Sequence, residues 1–123
     1  MQKGRTIVAV VDDDPSMLKA AAELLDANGL IPSLFASAEE FLASGLAKKA
    51  DCLLLDIDLG GLSGIELRQR LASSGTTIPV IFMTALDDEA IRQQALKAGC
   101  FAYLRKPFPA RQLIDAIAKA VAA

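Results

Sequence analysis

Acidic, hydroxyl and amino side chains stand where four apolar runs of the sequence end. An acidic run at positions 12–14 follows the first apolar run, and Asp56 follows the third. Thr84 and Lys106 follow the fourth and the fifth. Carboxylate oxygens suit a hard divalent cation, whereas a hydroxyl and an ammonium group donate hydrogen bonds to phosphate oxygens. These residue types predict a site that holds a metal ion and a phosphoryl group.

Each of these residues also has an ordinary structural explanation. An acidic run after a strand is usually a solvated turn or a helix cap, and Asp56 could be a loop acid. Thr84 alone is a hydrogen-bonding strand end, and Lys106 alone is a surface lysine. Their shared position after successive strands favours a common site, because parallel strands present their carboxyl ends at one edge.

Five short apolar runs, separated by segments of helical periodicity, must position these side chains. The runs are Ile7–Val11, Leu30–Phe35, Cys52–Leu55, Pro79–Met83 and Phe101–Leu104. Continuous apolar character indicates strands that are covered on both faces, as in a parallel sheet. The sequence therefore predicts an α/β fold, a five-stranded parallel, doubly wound sheet with five helices on two faces.

Polar residues mark the starts of the helices between these strands. Ser37 with Glu40 and Ser63 with Glu66 both fit the S-x-x-E capping box. An aspartate at position 87 or 88 is expected to cap the fourth helix. The last helix is expected over residues 110–121.

Composition and charge exclude several classes of function. Thirteen Lys and Arg residues against fifteen Asp and Glu give a net charge of −2, so direct contact with nucleic acid is not expected. The absence of histidine excludes a Ser-His-Asp triad and removes the commonest zinc ligand. The length of 123 residues fits one domain, residues 1–123, and no output domain is expected in this chain, which either stands alone or is part of a longer protein.

Two features predict a cytoplasmic protein that makes no contact with a membrane. No apolar run approaches the ~20 residues that cross a bilayer, and the first five residues lack the apolar core of a signal peptide. Cys52 and Cys100 lie in apolar stretches without metal-binding spacing. Both are expected to be buried free thiols in a reducing compartment.

The order of the motifs resembles the response-regulator receiver domain, the phosphorylated half of bacterial two-component signalling. The resemblance covers nearly the whole chain and runs through Val10–Ser16, Leu53–Asp56 with Gly64 eight residues later, Val80–Ala85, Gly99, Tyr103 and Lys106–Phe108. The second half is most similar to receivers of the nitrogen-fixation regulator group. The resemblance implies a flavodoxin-like fold with strand order 2-1-3-4-5.

The resemblance also implies a magnesium site beside a phosphorylated aspartate, with manganese or calcium as substitutes. Asp56 would be the phosphoacceptor, which attacks the phosphoryl group of a phosphohistidine. Asp13 and Asp56 would bind the metal directly, Asp12 would hold a metal-bound water, and Asp58 would offer its backbone carbonyl. Four carboxylates against the one ammonium of Lys106 give a charge of −3, which a divalent ion reduces to −1. Metal must then precede efficient phosphoryl transfer.

The resemblance assigns the phosphoryl oxygens of the product to Lys106 and Thr84. Thr84 would move toward the new group, and Tyr103 would follow it inward as the second switch residue. The alternative for Tyr103 is an ordinary half-buried strand tyrosine. The Lys106–Pro107 bond is expected to be cis.

The family's partners are implied in the same way. A sensor histidine kinase or a phosphotransfer protein would supply the phosphoryl group. The fourth helix, fifth strand and fifth helix, the region of Ile91, Tyr103 and Arg105, could form a homodimer on phosphorylation. The domain would catalyse only its own phosphorylation and dephosphorylation, so it is not expected to be an enzyme.

Two departures from the family pattern lie beside the site. Gly60 stands where the family often has proline and is followed by Gly61, which predicts a looser loop and weaker metal-dependent closure. Asp58 places an acid two positions after the phosphoacceptor, where it could tune the phosphoryl lifetime or add a metal contact.

Two alternatives use the same residues. Asp56 and Asp58 fit the D-x-D opening of haloacid-dehalogenase-like phosphatases, although that family has an acidic pair after its lysine and here only Asp115 follows Lys106. The other alternative is an interaction module of the same fold that is not phosphorylated.

Overall fold

The chain folds into a five-stranded sheet with helices on both faces. A computed structural model describes residues 5–122. Residues 1–4 and 123 lie outside the described residues. They belong to the expected domain of residues 1–123, and residues 1–4 make up most of the segment that was expected to lack a signal-peptide core. The strands are β1 Ile7–Val11, β2 Ile31–Phe35, β3 Cys52–Asp56, β4 Val80–Thr84 and β5 Ala102–Arg105. The helices are α1 Pro15–Ala27, α2 Ala38–Ser44, α3 Gly64–Ser73, α4 Glu89–Ala98 and α5 Ala110–Ala122.

The sheet is entirely parallel, and its order is β2-β1-β3-β4-β5. Both the predicted fold class and the strand order are confirmed. The boundaries of β1 match the predicted apolar run, and those of the other strands differ from their runs by at most one residue. At the carboxyl ends the difference arises because backbone pairing continues past the apolar residues, as where Lys106 N–H donates to the Thr84 carbonyl at 2.7 Å.

Two apolar clusters lie on opposite faces of the sheet. Alternate strand residues point to opposite faces, so Ala9 and Val11 join one cluster while Val8 and Val10 join the other. The first cluster contains buried residues of α2, α3 and α4, and the second contains buried residues of α1 and α5. Strands β3 and β4 are buried along their whole length, which accounts for their continuous apolar character.

Helix caps follow the predicted residues in most places. Ser63 and Glu66 form the complete capping box at α3. At α2 the Ser37 hydroxyl accepts from Glu40 N–H, but the Glu40 carboxylate accepts from Ala36 N–H, one residue before the cap. Asp88 is the aspartate that caps α4. A short 3-10 helix, Leu46–Lys48, was not predicted.

Glycine is required where α3 begins against the end of β3. A Cβ atom at Gly64 would lie 2.9 Å from the Cα of Ile57 and closer still to the carbonyl oxygen of Asp56. Both atoms belong to the backbone and cannot rotate away. Gly64 therefore permits the close approach that sets the connection after Asp56.

The two thiols differ in burial. Cys52 is buried in β3, as expected, and burial raises its pKa to about 12. Cys100 was expected to be buried but is only half-buried, because it lies in the connection before β5 rather than within the strand. Both are free. Among residues 5–122, no helix has the length and apolar character that a membrane span requires.

Candidate functional site

The predicted metal- and phosphoryl-binding residues lie at the carboxyl edge of the sheet, whereas Tyr103 lies within β5. Asp12 follows β1, Asp56 ends β3, Thr84 ends β4 and Lys106 follows β5. Asp12 and Thr84 are fully buried, and Asp56 is only 6% exposed. The parallel strands therefore bring together side chains from residues up to 94 positions apart.

Three carboxylates form a compact group at this edge. Asp12, Asp13 and Asp56 each present an oxygen, and these oxygens lie within 4.8 Å of one another. Asp13 is exposed, so the group is open to solvent on one side. Hard oxygen donors at this spacing fit magnesium, which keeps several waters and binds through one or two carboxylates.

Lys106 faces the carboxylates from β5. Its Nζ lies 2.8 Å from Asp12 Oδ2 and 3.7 Å from Asp56 Oδ2, with the lysine side chain 20% exposed. The Lys106–Pro107 bond is cis, the isomer that the resemblance implies. A single cation thus faces both the phosphoacceptor predicted at Asp56 and the buried acid of Asp12.

The surroundings of Asp56 favour its protonated form. Burial, followed by the nearby charge of Asp12, raises the pKa of the Asp56 carboxyl to about 6, while Lys106 and the Asp58 N–H act in the opposite direction. Without a metal, the site therefore gathers negative charge that the lysine offsets only in part. This imbalance is what a divalent cation would remove.

Asp58 enters the site through its backbone. Its N–H donates to Asp56 Oδ1 at 3.2 Å, and its side chain is exposed. The carboxylate group formed by Asp12, Asp13 and Asp56 does not include the Asp58 side chain. A Cβ at Gly60 would lie 4.0 Å from Asp13 Oδ2, so the glycine-containing loop passes beside the exposed acid.

Thr84 and Tyr103 lie on neighbouring strands. The Thr84 hydroxyl accepts a hydrogen bond from Leu86 N–H at 3.0 Å, so a movement toward a new ligand would release the loop between β4 and α4. Tyr103 is half-buried and packs against the first cluster, and burial raises its pKa. It lines a cavity of about 320 Å³ together with Leu86 and Arg105.

Two contacts at this end of the molecule were not predicted from sequence. The Glu39 carboxylate accepts a hydrogen bond from Leu62 N–H at 3.0 Å, across 23 residues. Arg105 forms an ion pair with Asp87 at 3.2 Å, between two exposed side chains. Neither pair has a spacing or motif that would reveal it, because each depends on the tertiary fold.

Comparisons with known proteins give a consistent result. Residues 8–118 match the response regulator receiver domain. Nodulation protein W of Bradyrhizobium diazoefficiens is 39% identical over 116 residues, which cover 94% of this chain and 51% of that protein. The transcriptional regulatory protein FixJ of Azorhizobium caulinodans is 34% identical over 110 residues, which cover 89% of this chain and 52% of that protein. The chain thus spans about half the length of the curated relatives it matches.

A solved structure agrees with the sequence matches. The crystal structure of FixJ-N superposes with a TM-score of 0.87 at 33% identity, and the match covers 99% of this chain and 96% of that one. Response regulators partner with histidine kinases, and their receiver domains serve phosphorylation-switched signalling rather than classical catalysis. The phosphatase alternative is not favoured. The chain belongs to the response regulator receiver domain family.

Proposed function

We propose that the chain accepts a phosphoryl group on Asp56 from a sensor histidine kinase or a phosphotransfer protein and relays the signal by a conformational change. The position of Lys106 beside Asp56 is the observation that supports this proposal most directly. The lysine ammonium lies 3.7 Å from the Asp56 carboxylate and is held there by a 2.8 Å contact with buried Asp12. A cation in this position suits a carboxylate that becomes an acyl phosphate of higher charge.

In the proposed step, an Asp56 carboxylate oxygen attacks the phosphorus of the partner's phosphohistidine. An O–P bond forms while the P–N bond breaks, and the imidazole leaves with the electron pair of that bond. The Asp58 N–H orients the Asp56 carboxylate through Oδ1. Lys106 and Thr84 each donate to a phosphoryl oxygen of the product. Attack of water on the acyl phosphate returns Asp56 and phosphate, so the domain catalyses only its own phosphorylation and dephosphorylation.

Magnesium is the metal that we propose for this site, and manganese or calcium could substitute for it. Asp13 and Asp56 would bind it directly, Asp12 would bind through a water, and Asp58 would use its carbonyl. The three carboxylates within 4.8 Å and their all-oxygen donor set support this assignment. Once bound, magnesium would offset the negative charge that gathers as the phosphoryl group approaches.

The signal would leave the site through Thr84 and Tyr103. Thr84 gives up its bond with Leu86 N–H to reach the phosphoryl group, and Tyr103 moves into the space beside it. The surface of α4, β5 and α5 then changes shape. Dimerisation through that surface is the output that we propose, and Arg105, exposed on β5, lies within it.

Domain organisation, output and location complete the proposal. Residues 1–123 act as a single receiver domain, and a net charge of −2 supports an output through protein contacts rather than nucleic acid. The cytoplasm is the proposed location because Cys52 and Cys100 are free thiols, which persist in a reducing compartment.

Labelling with a small phosphodonor tests the proposal directly. Wild type and Asp56→Asn are incubated with acetyl phosphate or phosphoramidate, with magnesium or with EDTA, and the intact mass is measured. Wild type should gain one labile phosphoryl group with magnesium and little without it. Asp56→Asn should gain none, because the amide is not a nucleophile for phosphorus.

The same experiment distinguishes the alternatives. Turnover of a small phosphate ester offered in place of the phosphodonor, with release of many phosphates for each protein molecule, would indicate a phosphatase that uses Asp56 and Asp58. No labelling under any condition would indicate an interaction module that is not phosphorylated. Label that persists in Asp56→Asn would overturn the assignment of Asp56.

A further inference from the structure

Glu39 joins α2 to the loop that carries the metal-binding backbone. Its Oε2 accepts from Leu62 N–H at 3.0 Å. That hydrogen bond is the largest of the causes that lower the pKa of the Glu39 carboxyl, so the group is ionised at neutral pH. The loop of residues 57–63, called here the β3–α3 loop, runs from the end of β3 to the start of α3 and includes Asp58.

Gly61 makes this contact possible. A Cβ atom at position 61 would lie 2.9 Å from Oε2 of Glu39 and 3.4 Å from Oε1. Any side chain there would push the carboxylate away from the loop. Neither Gly60 nor Gly61 has a positive φ, so the need for glycine at 61 comes from the approach of Glu39 and not from the backbone conformation.

The middle of the β3–α3 loop depends on this bond for its position. At its start, Asp58 N–H donates to Asp56 and Leu59 N–H donates to the Ile57 carbonyl at 3.2 Å. At its end, Ser63 N–H donates to Glu66. Two adjacent glycines between these ends have a wide range of accessible conformations. Glu39 restrains the segment directly after them.

We propose that Glu39 is a positioning residue that holds the β3–α3 loop in the conformation in which the Asp58 carbonyl can bind magnesium. The proposal rests on the proposed function of Asp56 and its metal site. It explains how a loop with glycine at position 60, in place of the family's usual proline, is kept in place. The hydrogen bond from Leu62 N–H to Glu39 is called here the tether. Glu39 lies on α2, outside the set of residues at the strand ends.

Glu40 provides a matched control for charge and helix position. It lies beside Glu39 in the first turn of α2 and carries the same charge, but its carboxylate accepts from Ala36 N–H at 3.3 Å. Removing either glutamate takes one negative charge from the same helix end. Only the removal of Glu39 releases the β3–α3 loop.

Gly60 provides the matched control for the glycine substitution. A Cβ at position 60 would meet Asp13 Oδ2 only at 4.0 Å, an ordinary contact, whereas at position 61 it must displace Glu39. Gly61→Ala therefore forces the flexible Glu39 carboxylate to shift, which weakens its hydrogen bond with Leu62 N–H while the charge of Glu39 is kept. Gly60→Ala should leave the tether intact.

The test measures amide hydrogen exchange across residues 58–63 without metal, and magnesium affinity by calorimetric titration. Glu39→Ala and Gly61→Ala should each speed exchange and weaken magnesium binding by about three- to tenfold, the range expected for one hydrogen bond. Glu40→Ala and Gly60→Ala should not speed exchange. Glu39→Gln keeps an acceptor oxygen and should recover most of the wild-type behaviour.

The double variant Glu39→Ala/Gly61→Ala provides the decisive result. It should be no worse than either single variant, because both remove the same contact. Urea midpoints that match wild type would show that the fold is unchanged.

Exchange and magnesium affinity that are unchanged in Glu39→Ala would overturn the inference. Equal effects of Glu39→Ala and Glu40→Ala would also overturn it, because charge alone would then be responsible. If wild type itself neither binds magnesium nor is labelled at Asp56, the proposed function fails instead, and the exchange data still report on the tether.

Discussion

At the level of single residues, Lys106 connects two acids of the site, since its ammonium lies 2.8 Å from Asp12 and 3.7 Å from Asp56. The sequence places Asp56, Thr84 and Lys106 after strands, and parallel strands must bring such residues to one edge. The contact of Lys106 with Asp12 joins residues 94 positions apart. It depends on side-chain direction at β1 and β5, which no local pattern contains. For the same reason, the hydrogen bond from Leu62 N–H to Glu39 could not be predicted from the sequence.

Lys106 should affect metal binding and phosphorylation in opposite directions. In Lys106→Met the ammonium is lost, so the carboxylates attract magnesium more strongly, by roughly fivefold for about 1 kcal/mol between unit charges at 4 Å in water. The rate of labelling by acetyl phosphate should fall on the order of 100-fold, because a donor to the phosphoryl group is missing. Calorimetric titration and intact-mass kinetics measure the two effects.

Lys119→Met is the control for the loss of one positive charge, since Lys119 is exposed in the last turn of α5. It should match wild type in both measurements. If magnesium affinity and labelling rate fell together in Lys106→Met, the lysine would have a structural role instead of the one proposed.

At the level of elements, periodicity predicted the strands and helices, while close approaches required the tertiary structure. The apolar runs located all five strands to within one residue of their ends. The 3-10 helix Leu46–Lys48 lacks a side-chain cap and a buried residue, so nothing in its sequence distinguishes it from a turn. Gly64 belongs to the motif that follows Asp56, but the reason for a glycine there, the close approach to the backbone of Asp56 and Ile57, is visible only in three dimensions.

Gly64→Ala should damage both stability and the site. The added methyl group collides with the backbone at the end of β3, and we expect the free energy of unfolding to fall by about 2 kcal/mol or more. Urea denaturation measures this change. Asp56 labelling should slow as well, since the connection after Asp56 must shift.

Gly60→Ala, in the same loop but with space for a methyl group, should show neither effect. Wild-type stability in Gly64→Ala would show that α3 can move away from β3 without strain.

At the level of the whole molecule, the site is a local cost to stability that the two apolar clusters must offset. The clusters cover both faces of the sheet, while buried Asp12 and Asp56 repel each other at its edge. The predicted fold did not depend on these acids. It depended on the apolar runs, which is why the architecture could be inferred before the site was located.

Stability should therefore depend on pH through Asp56 when metal is removed with EDTA. Its pKa rises from 3.8 to about 6 on folding, so the folded state binds more protons between these values. The contribution of Asp56 then becomes less favourable as pH increases through that interval. Asp56→Asn removes the ionisation and should be more stable than wild type at pH 8 by about 1–3 kcal/mol, with the difference shrinking toward pH 4.

Urea denaturation at pH 4, 6 and 8 measures this difference, and carboxylates common to both proteins cancel. Adding magnesium should stabilise wild type at pH 8 more than the variant, since ligands that bind the native state stabilise it. A difference that stays constant from pH 4 to pH 8 would assign the effect to packing at position 56.

Lys106 and Thr84, at the ends of neighbouring strands, differ in how each can reach a phosphoryl oxygen, because Lys106 is already bonded to Asp12. An ammonium group has three donors, so Lys106 can keep its hydrogen bond with Asp12 and still donate to a phosphoryl oxygen without rearranging. The Thr84 hydroxyl has a single O–H donor and its oxygen accepts from Leu86 N–H, so a movement of the side chain toward a phosphoryl oxygen would break that bond. Under the proposed function, the lysine therefore needs no rearrangement when the phosphoryl group arrives, whereas the threonine and the loop that it holds must move.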